Sequence, residues 1–261
     1  MPEGKPDDIT CPSMDIAISV GDFGDAAQPL RQVADAVSRL CHARFNTPPP
    51  LGEWPITIIR SADEVPRVRW PTSGEYQIAL ATGDHFYCQF VYQLAHELAH
   101  VWMHPCCTNA VVEAYAVALS LQVLADIGQI WLENPPIAGT SEYARHFIPY
   151  SQNEAWQKLT GVPVPVQRSV QAGRWSDVSA YLASQKSVQD VNPVNRALNT
   201  AGAMVLLAYG VCWPDLVGVA RSPLSATVDE YCFAENLPLN LNRCPESVCS
   251  GAALWTDSHD R

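Results

Sequence analysis

Residues 89–103 read Gln89-Phe90-Val91-Tyr92-Gln93-Leu94-Ala95-His96-Glu97-Leu98-Ala99-His100-Val101-Trp102-Met103. Phe90, Val91, Leu94, Leu98, Val101 and Trp102 recur at the three- and four-residue spacing of a helix that buries one face. Pro105 ends it. Set into this stretch is His96-Glu97-Leu98-Ala99-His100, an HExxH pattern. Residues four apart share a helix face, so both imidazoles can approach one metal ion. Neutral imidazole is a good ligand for zinc, and two of them leave positions open for water and substrate. Glu97, next to the first His, is near enough to accept a proton from metal-bound water. The chain's own His and Glu frequencies give about one chance match per hundred such chains, before helical context is required. The plain alternative is a pair of core histidines with satisfied nitrogens. Two His and a Glu on one apolar helix are, however, costly to bury without a purpose.

A catalytic zinc usually has three protein ligands, and helix geometry points to Glu113 as the third. The helix climbs about 6 Å beyond His100 before the turn at Pro105. A second helix, expected over 110–127 with Thr108 or Asn109 as N-cap and Gly128 as terminator, returns by about the same distance. Glu113 then stands near the level of His100, in the small apolar segment Val111-Val112-Glu113-Ala114-Tyr115-Ala116. The competing reading is an exposed Glu in a first helical turn, favoured by the dipole. His104 is about 12 Å from His96 along the helix and cannot share its ion. Cys106 and Cys107 complete a less common hydrolytic set, and Asp126 lies about 20 Å beyond Glu113.

Outward from this centre the pattern is α+β. Residues 15–20 and 54–59 read as strands, 25–45 as a helix between them, and 75–81 as a half-buried strand suited to a sheet edge. Beyond Asn134-Pro135-Pro136 the spacing is mostly helical, at 142–147, 153–159, 175–186, 195–212 and 224–234. Two lobes are expected: 1–133, α/β with a small mixed sheet and the two central helices, and 134–261, helical, together one catalytic unit.

His96, Glu97, His100 and Glu113 resemble the zincin metallopeptidases, in particular the gluzincin branch, whose third zinc ligand is a Glu on the following helix. The order of elements is similar to that family's N-terminal lobe. The 12 residues between His100 and Glu113 are fewer than in thermolysin-like members, and Val117 stands where the family often has Asp. The resemblance implies one Zn2+ and a peptide or protein substrate, with Glu97 as general base on zinc-bound water. It also implies an oxyanion donor from the helical part, for which Tyr143, His146 and Tyr150 are candidates. Peptide addition along the strand at 75–81 follows from the same resemblance. A zincin-like protein that only binds a partner, and a zinc hydrolase acting on something other than peptides, are the alternatives.

Composition excludes other classes. With 16 Lys and Arg against 27 Asp and Glu the net charge is −11, a poor match for nucleic acid or an anionic lipid surface. The longest strongly apolar run, 201–211, is too short to span a bilayer, so no transmembrane segment is expected. Residues 1–10 lack an apolar core, which points to a cytoplasmic protein or one exported without a cleavable signal. Nine cysteines without an export signal suggest reduced thiols, with a disulfide in the C-terminal third left open.

Overall fold

Ile18, Ile56, Ile58, Tyr76, Ile78 and Leu80 are buried, while Ser19, Thr57 and Gln77 between them face the other way. That two-residue period builds a mixed four-stranded sheet from β1 (Ile18–Val20), β2 (Ile56–Arg60), β3 (Arg67–Arg69) and β4 (Tyr76–Leu80). The computed structural model describes residues 16–50, 52–62, 65–69, 74–103, 110–159, 162–172, 174, 177 and 193–217. In the sheet the order is β1-β2-β4-β3, with β1, β2 and β4 parallel and β3 antiparallel to β4. The strand expected over 75–81 is therefore not at the edge. It is held by β2 on one side and β3 on the other, and β3 takes the outer position.

Helix α1 (Ala27–Phe45) makes the crossover between parallel β1 and β2. Leu30, Val33, Ala34, Val37, Cys41 and Phe45 form its buried stripe. Asn46 ends it in the left-handed conformation (φ 51°), its N–H bonded to the His42 carbonyl at 2.8 Å. Helix α2 (Tyr87–Met103) lies on α1 and on the β4–β3 side of the sheet. Trp102 stacks on Phe45 at 5.4 Å and donates its indole N–H to the Thr47 carbonyl. Such a pair adds about 0.5–1.5 kcal/mol beyond its area burial.

Helix α3 (Ala110–Glu133) packs against α2, and α4 (Phe147–Leu159), α5 (Val164–Gln171) and α6 (Pro193–Tyr209) follow. Both α4 and α6 lie on α3, so one apolar core runs from the sheet into the helical half. The expected helix over 142–147 is a 3-10 turn, Ser141–His146, leading directly into α4. The expected helices over 175–186 and 224–234 lie outside the described residues, Asp177 excepted. So do His104, Cys106, Cys107 and the caps at Thr108 and Asn109. Among the described residues Cys41, Cys88 and Cys212 take part in no disulfide.

Within α3, Val112–Glu133 is the one described segment long and apolar enough to cross a membrane by length and composition. About two-thirds of its apolar stretch is buried inside the protein, as befits a helix walled in by α2, α4 and α6. This helix runs past Gly128 rather than stopping there. The glycine serves a close approach: a Cβ at this position would stand 3.1 Å from the Phe147 Cβ. Phe147 is fully buried against Trp131 and Tyr143 and has no room to retreat. We expect Gly128→Val to destabilise the fold by about 1–3 kcal/mol, the usual range for overpacking, despite replacing a helix-weakening glycine. A urea midpoint equal to the parent's would contradict that account.

Candidate metal centre

On a helix of 3.6 residues per turn, His96, His100, Gln93 and Glu97 fall within an arc of about 100°. Val91, Leu94, Leu98 and Trp102 occupy the opposite, apolar arc and are buried in the core. The polar stripe is anchored at its start by Gln93. Its amide nitrogen donates to the Ala81 carbonyl (3.0 Å) and its amide oxygen accepts from the Ala81 N–H (2.8 Å). This clamp, one turn before Glu97, ties α2 to the end of β4. Sequence reasoning passed over Gln93, although its position four residues ahead of Glu97 marks it as part of the same stripe.

Helix α3 returns beside α2 and brings Glu113 to the histidines, as the helix-return argument expects. His96 Nε2 lies 3.1 Å from Glu113 Oε2 and His100 Nε2 lies 3.5 Å from Glu113 Oε1. The two imidazole rings meet edge to face at 5.0 Å. His96 and His100 are 8% exposed, Glu97 and Glu113 4%, so all four side chains are buried. Burial pulls the His100 imidazole down to about 4, against the Glu113 carboxylate and with a smaller push from His96. At neutral pH that ring is uncharged, the form that offers a lone pair to a cation.

The donor set fits zinc. Ligand atoms on a tetrahedral ion with bonds of about 2.0–2.1 Å stand roughly 3.3 Å apart; each imidazole Nε2 is 3.1 or 3.5 Å from a different oxygen of Glu113, a spread that small shifts would close around an ion. One candidate ligand atom from each of the three side chains lies within 4.8 Å of the others. Two imidazoles and a carboxylate are a ligand set found at catalytic zinc sites. One feature falls short of a fully supported set: His100 Nδ1 is buried without a hydrogen-bond partner among the described residues. Asp126, set aside as a ligand on distance, pairs with Arg44 of α1.

The oxyanion candidates fare differently. Tyr143 packs on Tyr87 (5.1 Å) and Trp131 (5.7 Å) and hydrogen-bonds the Cys88 thiol, at the start of α2. His96 is about 13 Å further along that helix from Tyr87. Burial and the Cys88 contact push the Tyr143 phenol up to about 12. His146 is exposed and leans on Tyr143. Neither is brought to the triad, because the turn at Ser141–His146 seats itself on the far end of α3. Tyr150 comes nearer, its ring 6.4 Å from that of Tyr92, which precedes His96 by one helical turn. Burial first, then the Glu154 carboxylate, raise its phenol strongly, so it stays protonated.

Comparison with protein-family models, curated proteins and solved structures finds no significant match to this chain. The functional reading therefore rests on the residues and their geometry.

Proposed function

We propose that the protein is a zinc-dependent peptidase, with His96, His100 and Glu113 holding the ion and Glu97 acting as general base. The observation that carries this reading is the convergence of two imidazole Nε2 atoms and a carboxylate, buried and close enough for one ion to reach all three. Its resemblance partner is the gluzincin branch of the zincins, on the same four residues. The chemistry zinc supplies when bound is Lewis acidity toward the scissile carbonyl and acidification of water. Glu97, beside the triad and outside it, accepts a proton as the water oxygen bonds to the carbonyl carbon. The same carboxyl then delivers that proton to the amine nitrogen as the C–N bond breaks. An extended substrate pairs by its backbone with the outer edge of β3, the position first assigned to 75–81.

Elemental analysis and a peptide library test the proposal together. One zinc per chain is expected, with hydrolysis abolished by a chelator and restored by zinc. A chain that takes up no stoichiometric zinc on titration removes the basis of the reading. Stoichiometric zinc with no hydrolysis of any peptide favours the partner-binding or non-peptide alternatives instead.

A further inference from the structure

Among the described residues, β3 pairs with β4 on one side and with no strand on the other. Its sequence is Arg67-Val68-Arg69, with Val68 turned toward the core and both arginines exposed on the opposite face. Arg69 donates to the Gln77 side-chain oxygen at 3.0 Å and meets no carboxylate among the described residues. Glu75, close by in sequence, is engaged with the Thr57 hydroxyl.

This edge runs alongside the triad. The Gln93 clamp sets α2 level with Ala81, and from there the helix returns over β4 and β3. His96 and His100 lie about 4.5 and 10.5 Å along the helix from Gln93. Ala79 and Ile78 lie about 7 and 10 Å back along the strand from Ala81. Their partners on β3 are Arg67 and Val68, and Arg69 follows one residue on, opposite Gln77. In a chain of net charge −11, Arg67 thus falls between the levels of His96 and His100 and Arg69 just beyond them, on a strand that pairs with no second strand among the described residues.

We infer that the β3 edge selects extended peptides carrying Asp or Glu at alternate positions, with Arg69 pairing with the carboxylate across the strands. The inference rests on the peptidase reading above and narrows its substrate to acidic segments. Side chains at every second position of a docked strand share the face of Arg69 and can meet it as a cross-strand ion pair. The competing role for exposed arginines on an edge strand is protection against sheet-to-sheet aggregation, which requires no substrate carboxylate.

The test uses the zinc-loaded full chain and paired peptides that differ only by Asp against Asn, or Glu against Gln, at scanned positions. The acidic member of a pair should have the higher kcat/KM, by about two- to fivefold per carboxylate, at alternating positions. The preference should shrink with added salt, since the pair is exposed. It should vanish in Arg69→Gln and turn toward Lys-containing peptides in Arg69→Glu, with circular dichroism and zinc content checking that each variant is folded. Should the charge reversal fail to fold, Arg69→Gln alone carries the comparison. A parent with equal rates on both series, or an acid preference that persists in Arg69→Gln, overturns the inference and leaves the peptidase reading standing. No cleavage of either series overturns both.

Discussion

Glu97→Gln is expected to retain its zinc and its melting temperature while peptide hydrolysis falls by at least about a hundredfold, the low end for a lost general base. The substitution keeps the shape of the side chain and its capacity to hydrogen-bond in a site only 4% exposed, so packing is undisturbed. What goes is basicity. Glu97 lies on the polar stripe of α2 but outside the group formed by His96, His100 and Glu113, so its loss spares every proposed ligand. Zinc content and a thermal melt verify the first half, and kcat/KM on a cleaved peptide the second. Hydrolysis at close to the parental rate would mean that another group takes the proton.

Glu113→Ala should act in the opposite sense, on the ion rather than on the chemistry. Removing an outer partner of a metal ligand typically costs 10–100-fold in affinity, so loss of a ligand itself should exceed about a hundredfold. At a fixed zinc concentration near saturation, that removes about 2.7 kcal/mol of zinc-dependent stabilisation, or roughly 5–10 °C of melting temperature for a chain of this size. The metal-free protein should respond differently. There the substitution strips the buried His96 Nε2 of its Glu113 partner, so a loss of about 1–3 kcal/mol that does not depend on zinc is expected. Melts with and without zinc separate the two effects. Parental zinc affinity in Glu113→Ala would reject this residue as a ligand.

The parts of this fold legible in the sequence are those with local causes. His96, Glu97 and His100 declare themselves through spacing on one helix, and Glu113 through the height a helix climbs before its partner descends. Burial in α1 and α2 follows their apolar periodicity closely. Less accessible were features decided by distant contacts. β3 has three residues, Arg67-Val68-Arg69, too short a stretch for its alternation to mark a strand. Without β3 in view, β4 looked like the edge. Gly128 carries the signature of a helix terminator, and only the position of Phe147 shows that it is a contact glycine inside α3. Tyr143 and His146 were candidates by residue type alone. Their seat beside Tyr87 and Trp131 is fixed by how the turn after α3 folds back, which no local pattern encodes.

The central position of α3 bears on how the chain comes to be made. Its last residue, Glu133, leaves the ribosome roughly 75 residues before Tyr209, where α6 ends. At about 5–20 residues per second, α3 waits roughly 4–15 s for the helices that cover its outer flank. During that interval the nascent protein has a sheet, two finished helices and one long greasy rod facing water. Its apolar stretch, Val112–Glu133, matches a membrane span in length and composition until α4 and α6 cover it. The time needed to translate α4 to α6 is thus the period in which this chain is most open to capture, aggregation or misdirection, and a slow stretch of codons there would lengthen it.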